Sequence, residues 1–304
     1  MNKLFEIRDI DEHFIVFLFG KPILRKKHKV KNYDRRLVRE WGLNTLPRAT
    51  KVTVSMTTFP ARIGNVHSAI ENLLTQTIKP DRLILWLTEK EFPNREKDLP
   101  ESLLNLQKFG LTIGWCGYMR SYQKLIPALI NYPDDIIVTL DDDFYYPETV
   151  LEDLYFSYLK HPKDIHANRT WRGRVSNGKI LTNSNSKMLS TKYYDASYKN
   201  LLMGYGGVLY PPHSLSNQVF DENKFKSLIF THDDVWFWAM SVLKKTKTRQ
   251  VRGFDFSLET IENSQAVGLY KFNGNNAGGI TPNMAINIML HEFPQIEQIM
   301  SEEC

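Results

Sequence analysis

The sequence predicts an α/β protein with a mixed, mostly parallel central sheet and a small β extension at its N-terminal end. Three observations point there. Strand and helix patterns alternate between residues 51 and 143. Two of the runs, "RLILWL" and "DIIVTL", are almost continuously apolar, as in strands covered on both faces. The second run leads into three carboxylates, Asp141, Asp142 and Asp143, at the strand end where ligands of such sheets bind.

The elements follow in order. "HFIVFLFGKPILRKK" reads as two short apolar strands joined at Gly20, Lys21 and Pro22, a hairpin outside the main domain. "KVTVSMTTF" alternates and is rich in β-branched residues, so it is a strand, ended by Pro60. "NVHSAIENLLTQT" places Val66, Ile70, Leu73 and Leu74 at helical spacing, and "DRLILWLTE" is the next strand, which makes a parallel βαβ unit. "LPESLLNLQ" reads as a helix, "LTIGWCG" as a strand, "SYQKLIPALIN" as a helix and "DIIVTLDDD" as a strand. Beyond Pro147 the order loosens: helix "PETVLEDLYFSYLKHP", hairpin "WRGRVSNGKIL", a glycine turn and strand in "LLMGYGGVLYPP", helix "HDDVWFWAMSVLKK", then a loop and helix in "GNNAGGITPNMAINIMLHEFP". The expected organisation is an extension over residues 1–50 and one domain over 51–304, divided into a nucleotide-binding half (51–147) and a second half (148–304).

Composition narrows the function classes. With 304 residues, 42% apolar and 24% charged, the chain is of globular type. Its two cysteines, Cys116 and Cys304, offer no disulfide framework or cysteine zinc site, which suits a reducing, cytoplasmic compartment. The apolar run "FIVFLFG" is too short for a membrane span and lacks the basic flank of a signal peptide. Of the net charge of +5, residues 1–50 carry more than the whole, with 12 Lys/Arg against 6 Asp/Glu. Such a basic segment, densest over residues 21–39, suits peripheral contact with an anionic membrane face or a solvated surface. The rest of the chain, slightly acidic and without a nucleic-acid motif, does not suit a nucleic-acid partner.

Three adjacent carboxylates repel one another, so a positive partner is expected beside them. Strand side chains alternate with period two, so Asp141 and Asp143 are expected to point together and Asp142 away. Two converging carboxylates suit Mn²⁺ or Mg²⁺; an acidic cap for the following helix is the alternative.

The ordered set "VTVSMTTFPARI", "NVHSAIENLLTQTIKPDRLILWL" and "VTLDDDFYYP" resembles bacterial glycosyltransferases of the GT-A fold, family 2-like, of the type that build lipopolysaccharide and capsule. The resemblance covers roughly residues 51–290 and implies a Rossmann-like GT-A domain. It implies a nucleotide-sugar donor, UDP-sugar favoured, and a glycan or lipid-linked glycan acceptor on the inner face of the plasma membrane. Thr57, Thr58, Phe59 and Arg62 are then expected at the nucleotide, Glu89 against its base, Lys124 at a phosphate, and Asp141, Asp142, Gly206 and Gly207 at the donor sugar. Asp143 and Asp141 are the expected metal ligands, with His291 as a third. "THDDVWFW" resembles the acidic pair beside the acceptor, with Asp234 as base and Asp233 as its orienter in an inverting transfer. Trp236 and Trp238 are either core or a stacking face for a sugar, and "NGNNAGG" is a lid candidate. The competing readings are a metal-dependent hydrolase using Asp141, Asp143, His232, Asp234 and His291, and a carbohydrate-binding protein without turnover.

Overall fold

The computed structural model describes residues 5–10, 13–18, 21–27, 41–172, 174–176, 179–181, 194–251, 258–262, 264 and 279–303, with backbone only for those before 41 and between 174 and 181. Residues 28–39 of the basic segment and 273–278 of the lid candidate lie outside them.

Three strands, β1 (Phe5–Ile10), β2 (His13–Leu18) and β3 (Lys21–Lys27), form a separate antiparallel sheet, so the expected hairpin is present with one more strand beside it. The main sheet begins at β4 (Val52–Thr57) and continues through α1 (Val66–Leu74) to β5 (Arg82–Leu87). A single turn, α2 (Glu101–Leu104), leads to β6 (Leu111–Trp115); α3 (Ile126–Asn131) leads to β7 (Ile136–Thr139). Next come β8 (Phe144–Tyr145), α4 (Val150–Lys160), β9 (Ile165–Ala167), β10 (Thr170–Arg172), and the paired β11 (Arg174–Ser176) and β12 (Lys179–Leu181). The chain closes with β13 (Asn200–Leu202), β14 (Val208–Tyr210), α5 (Glu222–Leu228), α6 (Asp233–Leu243), β15 (Thr248–Gln250), β16 (Glu259–Thr260), α7 (Pro282–Glu292) and α8 (Gln295–Ser301).

The central sheet has seven strands in the order β6-β5-β4-β7-β14-β9-β15. β14 is antiparallel to both neighbours and the other pairs are parallel, as expected for a mixed, mostly parallel Rossmann-like sheet. The order steps outward from β4 in both directions, to β5 on one side and β7 on the other. That reversal leaves a crevice above the carboxyl ends of these strands, where α/β sheets bind ligands.

Each face of the sheet carries an apolar layer. α1 buries Val66, Ala69, Ile70, Leu73 and Leu74 on one side, with α4 beside it. On the other side α6 is enclosed almost all round, with Trp236, Phe237 and Trp238 fully buried. Both tryptophans are therefore core, and neither offers a face to a sugar. Among the described residues no helix is long and apolar enough to cross a membrane.

Two elements differ from expectation in ways that matter for the site. "SYQKLIPALIN" is not one helix: a 3-10 turn, Arg120–Lys124, precedes α3, because Pro127 has no N–H to donate and is tolerated only in a first turn. The strand before the acids also stops early, at Thr139. All three aspartates therefore sit in a turn, free of the pleat's alternation.

Candidate active site

The carboxyl ends of β4, β5 and β7, the 3-10 turn before α3 and the start of α6 surround a cavity of about 850 Å³. Thr57, Thr58, Phe59, Arg62, Lys124, Asp141, Asp142, Asp143, Asp233 and Asp234 all line it. Residues from both halves of the chain thus meet in one place.

The acidic turn is anchored by Tyr146. Its hydroxyl accepts from the Asp141 N–H (2.9 Å) and donates to the Tyr205 carbonyl (3.1 Å). Asp142 does not point away, as an unbroken pleat would require. Its Oδ1 accepts from Arg62 Nη1 (2.6 Å) and its Oδ2 from the Thr58 hydroxyl (2.5 Å). Asp143 Oδ2 lies 3.0 Å from Arg62 Nη2, whereas Asp141 turns to Lys124, 3.1 Å away. The pairing is therefore 142 with 143. The positive partners expected beside the acids are Arg62 and Lys124.

Arg62 comes from the turn after β4, where the Phe59 ring lies under its guanidinium at 5.4 Å. Its Nε donates to the Ser264 carbonyl at 3.2 Å. Burial alone lowers the pKa of an arginine, yet Asp142 and Asp143 outweigh it and hold Arg62 above its ordinary value. Asp142 is also raised, first by burial and further by Asp141, against the pull of Arg62 and Thr58. The two ends of this ion pair shift upward for different reasons: burial raises Asp142, whereas the neighbouring carboxylates raise Arg62.

Lys124 is the second cation. A chain of buried hydrogen bonds fixes its backbone: the Trp86 indole donates to the Ser55 hydroxyl (2.9 Å), which donates to the Lys124 carbonyl (2.6 Å). The ammonium lies 3.1 Å from Asp141 Oδ1, 3.1 Å from Asp233 Oδ2 and 3.9 Å from Asp234 Oδ1. Burial works against its charge, but these three carboxylates together hold it charged, well above the ordinary lysine range. Lys124 thus ties the acidic turn to the first turn of α6.

The two acids of α6 are not equivalent. Asp233 is held on both oxygens, by the Ser121 hydroxyl (2.8 Å) and by Lys124, and its side chain is 12% exposed. Asp234 is 35% exposed, and its Oδ2 accepts from the Gly204 N–H at 3.0 Å. Burial lifts the Asp234 carboxyl to about 7; Lys124 and the Gly204 N–H pull it down, while Asp233 and Asp141 push it further up. Gly204 keeps room for both charged ends: a Cβ there would stand 2.7 Å from Lys124 Nζ and 2.8 Å from Asp234 Oδ1, so these side-chain ends would have to shift.

Other expected residues are not brought to the cavity. Glu89 faces solvent and pairs with Arg95; the acid lining the cavity after β5 is Glu91. Glu91 accepts from the Thr88 hydroxyl (3.0 Å), and burial raises its pKa. His291 is exposed in the last turn of α7, outside the cavity lining, because helical spacing turns it from the buried face of Ile286, Met289 and Leu290. Gly206 and Gly207 lie behind the lining, which is formed at that turn by Met203 and Tyr205. Gly206 admits Arg169, whose Cβ would stand 3.2 Å from an added methyl, and Gly207 takes a φ of +90. Thr57 does line the cavity, but its hydroxyl donates to the Trp86 carbonyl (2.9 Å) and accepts from Gln123 (3.0 Å). Sequence reading missed Glu91, Tyr118, Arg120, Ser121, Gln123, Trp171 and Tyr205. Tyr118, Trp171 and Tyr205 carried a signal, as aromatics beside glycines.

Among the described residues no group of three or more His, Cys, Asp or Glu side chains is arranged to hold a metal ion. The acids of the cavity are nevertheless of the ligand type that such ions take. Five carboxylates, Asp141, Asp142, Asp143, Asp233 and Asp234, share two bonded cations, Arg62 and Lys124, and oxygen ligands of this kind suit Mn²⁺ or Mg²⁺.

No family profile matches the chain, and no curated protein does. Solved structures do resemble it. S. aureus TarS (residues 1–349) is 13% identical, with 67% of this chain and 59% of that one covered and a TM-score of 0.38. The inositol-1-phosphate CTP transferase from T. maritima is 11% identical over 81% of this chain and 98% of its own, with a TM-score of 0.42. The mannosyltransferase PcManGT from Pyrobaculum calidifontis, solved in complex with GDP-Man and Mn²⁺, is 13% identical over 86% and 76%, with a TM-score of 0.43.

Proposed function

We propose that the chain is a glycosyltransferase of GT-A type that moves a sugar from a nucleotide-diphosphate donor to a glycan acceptor. The observation that carries this reading is the meeting of two acidic centres on one cavity: the turn of Asp141, Asp142 and Asp143, and beside it the pair Asp233 and Asp234, whose second member can serve as a base. Binding alone needs no such base.

Asp143 is the residue that would hold a divalent ion, with Asp141 able to join it only by leaving Lys124; such an ion opposes the charge that builds on a departing diphosphate. Arg62 and Phe59 line the donor side, and Glu91 takes the place expected for Glu89, its carboxylate able to accept a hydrogen bond from a nucleobase or ribose. Lys124 and Ser121 fix Asp233, and Gly204 fixes Asp234. As the acceptor hydroxyl oxygen bonds to the anomeric carbon, the bond to the diphosphate breaks; the hydroxyl proton passes to the Asp234 carboxylate. Asp233 is the poorer base because both of its oxygens are already engaged.

A hydrolase would gather its histidine and carboxylate ligands around the metal. Here His232 lines the cavity but His291 stands outside it, so the histidine and carboxylate set expected for a hydrolase is not gathered, which favours the transferase. The acceptor proposed is a bacterial surface glycan on a lipid carrier or core, with residues 21–39 meeting the anionic leaflet; vesicle binding that ignores salt and lipid charge refutes that contact.

The test of the donor is a thermal-shift panel of UDP, GDP, CDP and ADP and their sugars, with and without Mn²⁺. A ligand of the folded state raises the melting temperature with the logarithm of its saturation. One base is expected to stabilise, and more so with Mn²⁺. No shift with any of them refutes the reading.

A further inference from the structure

One rim of the acidic cavity is cationic. Arg120 lines it at the head of the 3-10 turn, exposed, with its guanidinium 5.0 Å from the centre of the Phe230 ring. Lys90, also exposed, lies 4.1 Å over the ring of Tyr118, another lining residue. The two rings meet edge to face at 6.3 Å, so one aromatic ridge carries both cations. Among the described residues neither cation forms an ion pair. The acids of the adjoining segments are engaged elsewhere: Glu89 with Arg95, Glu222 with Lys226, and Glu91 with the Thr88 hydroxyl. Stacking on a ring holds a cation in place without using its N–H groups, which stay available to an incoming oxygen. Arg120 also takes a φ of +53, a left-handed backbone that disfavours any side chain, yet a long charged one stands there. Its neighbour Ser121 donates to Asp233 (2.8 Å), and Phe230 lies three residues before α6. Arg120 therefore stands on the side of the acidic pair, across from Arg62 and Phe59.

We propose that Arg120, supported by Lys90, binds an oxyanion carried by the acceptor, a phosphate or a carboxylate, so that the glycan extended here is an anionic one. This rests on the transferase reading above. The charge of the cavity calls for such a site. Five carboxylates line it against two bonded cations, so an anionic acceptor nearing Asp234 is repelled unless its charge is met at the rim. Guanidinium binds two oxygens of a phosphate or carboxylate at once, which fixes the orientation of the ligand as well as its charge. Exposed cations at a cavity mouth also steer such a ligand inward. A neutral glycan would draw on neither property.

Ligand-observed NMR titration of glycerol phosphate and glucuronate, each against its uncharged counterpart, glycerol and glucose, tests this in wild type, Arg120→Gln, Arg120→Lys and Lys90→Gln. The protein is first saturated with Mn²⁺ and the nucleoside diphosphate that stabilises it, so that the donor position is filled. Wild type should bind at least one anion more tightly than its uncharged counterpart, and less tightly as salt rises. The tighter of the two anions tells phosphate from carboxylate. Arg120→Gln should weaken that binding about tenfold or more, as for loss of a hydrogen bond to a charged group, and Arg120→Lys by less. Lys90→Gln should weaken it about threefold, in the range of an exposed charge pair. Nucleotide affinity should stay the same in all of them. Arg120→Gly relaxes the left-handed backbone, so it keeps the fold and should lose the anion as Arg120→Gln does. If wild type binds no nucleoside diphosphate, the transferase reading falls and this inference with it. If it does bind one, but neither anion binds better than its uncharged counterpart, or wild type and Arg120→Gln hold the anion equally, only the inference falls. Weaker nucleotide binding in Arg120→Gln with the anion unaffected would assign the rim to the donor and overturn the inference as well.

Discussion

The acidic turn after β7 and the acidic pair opening α6 face the same cavity but are neutralised in different ways. In the turn, one arginine forks across two neighbouring carboxylates, Asp142 and Asp143. At α6, one lysine is a point charge shared among Asp141, Asp233 and Asp234. A planar fork satisfies a pair at once; a buried ammonium sets the protonation of what surrounds it. The first arrangement fixes the turn. The second suits a base whose charge must be controlled.

Experiments can break or sharpen that contrast. The largest effect is expected from Asp234→Asn, which should lower kcat by about 10²–10⁴-fold, as for loss of a general base, with nucleotide affinity retained in calorimetry. Equal loss of binding would place Asp234 on the donor side instead. Next is Lys124→Met. Lys124 holds the Asp234 pKa down, so its removal should raise that pKa and move the acidic limb of the kcat profile to higher pH. On that limb the rate should fall about tenfold for every pH unit by which it moves. Recovery of activity at alkaline pH separates a misprotonated base from a broken fold. Gly204→Ala keeps every charge but drives a methyl into Lys124 and Asp234, so it should lower kcat at all pH values without the alkaline recovery. The smallest effects are expected on the donor rim. Glu91→Gln should weaken nucleotide binding by about fivefold, in the range of a single hydrogen bond, while Glu89→Gln and His291→Ala leave it unchanged.

The linkage to stability has a definite sign. The Asp234 pKa is raised in the folded state, so that group stabilises the fold below the ordinary carboxylate range, and this contribution is lost as pH rises toward about 7. Asp234→Asn should therefore flatten the pH dependence of the melting temperature between about pH 4 and about 7. The residue that catalysis needs ionised is one the fold prefers neutral.

Much of this was legible in the sequence because it depends on local pattern. The alternating run that becomes β4, the helical spacing of Val66, Ile70 and Leu73, and the apolar run of β5 each specify one element and one buried face. The acids were legible as a cluster because an apolar strand ending in "DDD" needs compensation. What compensates them was not legible, since Arg62 and Lys124 reach the turn from 80 and 17 positions away through loops whose path no period encodes. Pattern also fails one residue past a strand end. The pleat that assigned Asp142 outward stops at Thr139, and the same loss of register separates Glu89, at the surface, from Glu91, in the cavity. His291 was placed by analogy of position alone, and the buried stripe of α7 sends it to solvent.

The most direct measurement is the release of nucleoside diphosphate from a panel of nucleotide sugars, with acceptor glycan and Mn²⁺, followed from about pH 5 to about pH 9 for wild type and Asp234→Asn. Acceptor-dependent release that rises through about pH 7 in wild type and is almost absent, without that rise, in the variant is the expected result. Release of the same rate and pH dependence in both proteins would contradict the assignment of Asp234 as the transfer base.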